Sequence, residues 1–192
     1  MRSPMMSKKY LARFALMGAF LLAPCAVATE YVQAPGSTLA FATEYQGEVF
    51  VGRFPQFDTR LSFDPQQLAT ARLEVAITLA GADTDNIERD ETLQGHDFFD
   101  VARSPVAHFS ADRFRSLGDG RYVADGTLTL RGVSRPVALA FTWTPGERPV
   151  LTGRATVRRL DYGVGGGDWA DTDLLPDAVA VSTRVVFVPV GE

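Results

Sequence analysis

The sequence predicts an all-β protein, an eight-stranded antiparallel β-barrel with one short helix. Three observations predict it. Apolar residues recur with period two along segments of strand length. The segments are joined by short turns rich in Gly, Pro and Asp, as in FDPQQ, GDG, RGVSRP and TPGERP. Past the first thirty residues there is no second long apolar run, low-complexity block or internal repeat, so the remainder reads as one domain.

The N-terminal segment predicts export. Arg2, Lys8, Lys9 and Arg13 precede the run FALMGAFLLAP, which is too short to span a bilayer. Ala26 and Ala28 occupy the small-residue positions of a cleavage after Ala28. Residues 1–28 are therefore expected to be a secretory signal peptide, and 29–192 the exported mature domain. The alternative is lipidation at Cys25, at the end of LAPC, although Pro24 stands where a small residue is wanted. Cleavage removes the sole cysteine of the chain, leaving neither a disulfide nor a thiolate metal site.

Strands are expected near residues 37–43, 57–63, 71–79, 105–115, 121–131, 136–143, 150–158 and 178–188. In ARLEVAITL, Leu73, Val75, Ile77 and Leu79 share one face, with Arg72, Glu74 and Thr78 on the other. DGTLTLRG alternates Leu128 and Leu130 with Thr127, Thr129 and Arg131. PVALAFTW aligns Val137, Leu139, Phe141 and Trp143, and VAVSTRVVFV aligns Val179, Val181, Val185 and Phe187. Eight strands is the size at which a barrel holds either packed side chains or one small ligand. The helix lies in TDNIERDETLQG, with Thr84 or Asp85 as N-cap, acids in the first turn and Gly95 as the stop. Phe50, Phe54, Phe57, Phe98 and Phe99 fall in connections, where they either line a mouth or plug the barrel ends.

Composition and motifs exclude several chemistries. The whole chain has 19 basic and 23 acidic residues, a formal net charge of −4. Without the four basic residues of the leader, 15 basic residues face 23 acidic ones, a net charge of −8 that disfavours nucleic acid. DYGVGGGDWADTD is followed by acids and a proline rather than a helix, so its glycines read as a turn and lid under Trp169, not a phosphate cradle. The two histidines, His96 and His108, lack the spacing of a zinc pair. No G-x-S-x-G nucleophile motif is present, and the Asp90–Glu91 pair reads as a solvated helix face. No catalytic residue, metal or cofactor is expected.

Four motifs together resemble the YceI-like family of periplasmic proteins: VFVGRFPQFDTRLSFDP, ERDETLQGHDFFDVARSP, DGTLTLRGVSRPVAL and RRLDYGVGGGDWADTD, in that order. The resemblance implies a lipocalin-like barrel that binds a long amphiphile, a polyisoprenoid or an isoprenoid quinone, in an apolar tunnel. The last motif is similar to a branch met beside b-type cytochrome membrane proteins. A carrier is thus expected, the alternative being a secreted enzyme on an isoprenoid lipid or a redox accessory of such a cytochrome. The expected partners are the lipid or quinone, with a b-type cytochrome membrane protein and a second copy of the chain as further candidates. Candidate ligand-binding residues are Phe50, Phe54, Phe57, Ile77, Phe98, Phe99, Leu128, Phe141 and Trp169.

N-terminal sequencing of the exported protein is expected to read TEYVQ. A diacylated Cys25 would reassign it as a lipoprotein.

Overall fold

The computed structural model describes residues 28–191. Residues 1–27, which hold nearly all of the expected leader and Cys25, lie outside this range. The strands are β1 (Thr29–Gln33), β2 (Thr38–Tyr45), β3 (Glu48–Arg53), β4 (Phe57–Phe63), β5 (Arg72–Thr78), β6 (Val106–Gly118), β7 (Arg121–Leu130), β8 (Val133–Thr144), β9 (Val150–Arg158) and β10 (Ala178–Pro189). One helix, α1 (Ile87–Gln94), interrupts them between β5 and β6.

The antiparallel order β1-β4-β5-β6-β7-β8-β9-β10 returns on itself through a β1–β10 pairing, which closes an eight-stranded barrel. Strands β2 and β3 extend from the edge of β10. That edge is shared: Phe187–Pro189 pair with β1, and Ala180–Arg184 pair with β2. Between the two, Ser37 replaces part of the broken ladder, its hydroxyl accepting from the Val186 amide (3.0 Å) and donating to the Ala34 carbonyl (2.8 Å). The expected eight strands include β2 but omit β1 and β3. In β3, Val49 and Val51 point outward and are exposed while Phe50 and Gly52 point inward, so both faces are apolar and the period-two signal disappears. Phe50 is accordingly a strand residue rather than part of a connection.

The expected inward faces are those observed. Leu73, Leu79, Leu128, Leu130, Leu139, Phe141, Trp143, Val185 and Phe187 are buried in one core, with Val75, Ile77, Val137, Val179 and Val181 packed against it. The helix is capped one residue later than expected: Asn86 accepts from the Arg89 amide (3.0 Å). Thr84 is already engaged, its amide and hydroxyl both donating to the Asp90 carboxylate at 2.8 and 2.6 Å. Gly95 ends the helix, its amide donating to the Thr92 carbonyl (3.0 Å).

The two ends of the barrel are filled differently. At one end, inward rings from six strands interlock in a cluster centred on Phe63, which is 1% exposed. Its ring lies 5.2 Å from Tyr122 and Trp143, 5.8 Å from Phe141 and 6.0 Å from Phe114. Tyr31 and Phe187 continue the cluster against Trp143 at 5.4 and 6.0 Å. Most of these pairs are edge-on or tilted, the arrangements that aromatic quadrupoles favour. Outside this cluster, the Phe109 ring of β6 packs over Gly126 of β7, where a Cβ would approach it to about 2.5 Å, so this position has no space for a side chain.

Phe63→Ala should therefore lower unfolding free energy by roughly 3–5 kcal/mol, as expected for removing a fully packed ring. Truncating exposed Val49 should change it little. Denaturant melts of the two variants test the assignment.

Candidate ligand-binding cavity

Toward the other end the barrel is hollow. A cavity of about 200 Å³ with a wholly apolar accessible wall lies among the strands. Thr59 of β4 and Leu73, Val75 and Ile77 of β5 form one side. Ala107, Phe109, Leu128, Leu130, Val137 and Leu139 of β6–β8 form the next. Leu151, Ala155 and Val157 of β9 and Val179, Val181, Thr183 and Val185 of β10 face them, and Leu39, Phe41, Thr43 and Phe50 of β2 and β3 complete the circuit. Strands β5, β7, β8, β9 and β10 place aliphatic and threonine side chains at this level, where the opposite end has interlocked rings. An apolar cavity of about 150 Å³ is known to stay dry and to take up a hydrocarbon.

Two segments cap the hollow. From the α1 side come Leu93, the sole buried residue of the helix, and then Phe98 and Phe99; the Phe99 amide donates to the Leu93 carbonyl (2.9 Å). Phe54 packs between Phe41 (5.2 Å) and Phe99 (5.9 Å). The Arg89 guanidinium covers Phe50, 4.3 Å from the ring centroid, in a cation–π contact. The second cap is the glycine-rich loop after β9. Gly163, Gly165 and Gly167 have φ of 68, 61 and 58°, the left-handed conformations that glycine adopts without strain. The loop reaches across to the first cap, where the Gly165 amide donates to the Asp97 carbonyl (2.6 Å) and Trp169 packs 5.3 Å from Phe98.

One side chain organises that loop. Arg159 is 3% exposed and lines the cavity. Its Nε donates to the Pro176 carbonyl (3.1 Å), Nη1 to Val164 (3.0 Å) and Gly165, and Nη2 to Trp169 (2.8 Å) and Leu175 (2.6 Å). All five guanidinium N–H groups thus have carbonyl acceptors. Burial pushes its pKa down and the nearby Asp177 carboxylate pushes it up, but arginine stays charged throughout. Burial, with Asp161, raises the pKa of the neighbouring Tyr162, and Arg135 opposes this.

Of the nine sequence candidates, Phe50, Phe54, Ile77, Phe98, Phe99 and Leu128 line the cavity. Phe141 does not: paired with Tyr122 and stacked on it at 5.4 Å, it lies at the plugged level. Phe57 is buried in the core at the start of β4 but is not on the cavity wall. Trp169 lies over the cap, between Phe98 and Tyr45, rather than on the wall. Arg159 was missed, although a signal for it exists: it continues the inward parity of Leu151, Gly153, Ala155 and Val157. Thr43 and Thr59, whose buried hydroxyls have no partner, were also missed. His96 is exposed with Nδ1 3.4 Å from Asp100, and His108 is exposed on β6. Neither lines the cavity. Among the described residues no cluster of three or more His, Cys, Asp or Glu could hold a metal.

A closed antiparallel barrel, solid at one end and enclosing an apolar, doubly capped cavity at the other, defines the hollow-barrel class that encloses small ligands. Within that class, residues 31–187 match the YceI-like domain, and the chain belongs to this family. A UPF0312 protein of Shewanella denitrificans is 36% identical over 148 residues, covering 74% of this chain and 77% of that one. The crystal structure of BcnA from Burkholderia cenocepacia superposes with a TM-score of 0.75 at 25% identity, over 78% of this chain and 95% of that one. A domain from Saccharophagus degradans, described as polyisoprenoid-binding, shares the fold with a TM-score of 0.65 at 17% identity, over 84% of this chain and 99% of that domain.

Replacing Arg159 by Lys should destabilise the protein by about 3 kcal/mol or more, since three ammonium donors cannot serve five buried carbonyls and the lost bonds are charge-assisted. Thermal melting checks this. Hydrogen exchange should show the loss of protection concentrated at residues 160–177.

Proposed function

We propose that this chain is a periplasmic binding protein that holds a long amphiphile, a polyisoprenoid or isoprenoid quinone, with its hydrocarbon inside the barrel. The observation that supports this most is the apolar cavity closed by two caps. Each methylene moved from water to such a wall contributes about 0.8 kcal/mol, so a few isoprene units provide ample gross binding energy against the cost of ordering the chain. Holding a lipid requires no reactive group, which agrees with a wall of aliphatic and aromatic side chains. Family membership and the polyisoprenoid-binding description of the Saccharophagus domain support the ligand class. The basic leader with its apolar run supports export, and β1 begins at Thr29, directly after the expected cleavage bond. The resemblance of the RRLDYGVGGGDWADTD motif supports a b-type cytochrome membrane protein as a further partner.

Mass spectrometry of an organic extract of the purified protein should reveal an isoprenoid lipid. Val75→Trp, which fills the cavity from β5, should abolish lipid retention while leaving the melting temperature close to the parent's. A parent protein that neither carries lipid nor takes up added polyprenol would overturn the reading.

A further inference from the structure

The ladder between β8 and β9 stops short of the hollow. β8 pairs with β7 from Val133 to Thr142, and β9 pairs with β10 from Val150 to Arg158. Between β8 and β9 themselves the pairs run only from Thr144–Val150 to Ala140–Arg154, at the level of the plug, where β8 carries Phe141 and Trp143. Beyond the last pair, Val133–Leu139 of β8 and Ala155–Arg158 of β9 continue with no ladder joining them. Val137, Leu139, Ala155 and Val157 of these stretches line the cavity, so the seam lies beside the hollow.

The sequence accounts for the break. Arg131 and Gly132 have φ of 52 and 74°, a two-residue turn in which Leu130 and Val133 form the hydrogen-bonded closing pair. Bonding then alternates along β8: Val133, Arg135 and Val137 bond to β7, while Ser134, Pro136 and Ala138 turn their backbone groups toward β9. Pro136 has no N–H to offer there. By the same alternation Ala155 and Val157 bond to β10, and Thr156 and Arg158 face the seam. Tyr162 stands at the rim end of the seam, on the single helical turn Arg159–Tyr162 that follows β9 and packs against β8. It is 2% exposed, and its hydroxyl has no hydrogen-bond partner. Its side chain is held by packing, and it can swing aside without breaking a hydrogen bond of its own.

We propose that the hydrocarbon enters and leaves the barrel sideways, through the β8–β9 seam, with Tyr162 as its gate. This rests on the carrier reading above and adds the path of the ligand to it. The competing route lies between the two caps, and it costs more. Parting them breaks the Gly165–Asp97 bond and the bridge made by Arg131, which donates through Nη1 to the Gly163 carbonyl of one cap and through Nη2 to the His96 carbonyl of the other (2.9 Å). Lifting the glycine-rich cap further would strip the buried Arg159 of its carbonyls. Hydrogen bonds to charged groups are the strong ones, and a buried charge left unpaired costs more again. Parting the seam breaks no ladder.

The test closes each route in turn, in a chain carrying Cys25→Ser so that no other thiol is present. Ala138→Cys with Thr156→Cys joins the exposed positions that a continued ladder would set opposite each other. A disulfide closes this pair, or a short bis-thiol reagent where the strands stand too far apart for one. Asp97→Cys with Gly166→Cys locks the caps instead. Each protein is loaded with a polyprenol before closure, its release to phosphatidylcholine vesicles is timed, and its own reduced form serves as the reference. Closing the seam should slow release by about tenfold or more, as shutting a gate does, while the cap lock should leave it near the parent's rate. Release unchanged with the seam closed, or slowed as much by the cap lock, overturns the inference. Tyr162→Phe should release as the parent does and Tyr162→Ala faster; a Tyr162→Ala protein no faster than the parent removes Tyr162 from the gate. Hydrogen exchange of the unmodified protein checks the seam without any lipid. The amides of Thr156 and Arg158 should exchange fast and those of Ala155 and Val157 slowly, and equal protection of all four overturns the inference too. A parent that takes up no polyprenol overturns the carrier reading and this inference with it, whereas one that binds normally and releases with its seam closed overturns this inference alone.

Discussion

The closed end of the hollow depends on one buried cation. The segment from Gly163 to Asp177 contains no strand and only short turns of helix, so it has few internal ladders to satisfy its carbonyls. The Arg159 guanidinium gathers carbonyls from Val164, Gly165, Trp169, Leu175 and Pro176 around one planar fork. Burying a charge is costly unless its hydrogen bonds are complete. Here they are complete, so opening the loop would expose both the unpaired cation and five freed acceptors. The loop is thereby held as a unit. Gly165 is required at its centre, since a Cβ there would approach Arg159 Nη1 to 2.6 Å.

A hollow core is a structural weakness that the rest of the barrel must offset. Cavities reduce stability because their lining atoms lack partners on one side. In this chain the offset lies at the opposite end, where rings from β4, β6, β7, β8 and β10, joined by Tyr31 of β1, pack at close-contact distances. Separating the two functions along one axis lets the wall of the hollow be left unfilled without loss of a rigid frame. A bound hydrocarbon then supplies the contacts that the empty wall lacks.

The acidic character of the loop follows the same division. Asp168, Asp171 and Asp173 are exposed on its outer surface, while its inner surface presents Val164 and Leu175 to the cavity. An anion would meet repulsion outside and no free donor inside, because the loop's one buried cation spends every N–H on backbone carbonyls. The glycines serve chain direction, and the arginine serves closure.

Much of this was legible in the sequence because side-chain parity along a strand is a local property. Alternation alone assigns Val75, Ile77, Leu128 and Leu139 to the interior, and Gly95 marks where the helix ends. It could not separate the hollow from the plug. Ile77 and Phe141 share the inward sign, yet one lines the cavity and the other fills the opposite end, because the level of a residue along the barrel axis depends on strand tilt and register with its neighbours. Closure also lay beyond local pattern: β1 is five residues long, and its role comes from pairing with both β4 and β10. The partners of Arg159 and the isolation of the Thr59 hydroxyl are likewise tertiary facts. Parity places both side chains inward, but which atoms surround them is decided only when strands and loops distant in sequence converge on one end of the barrel.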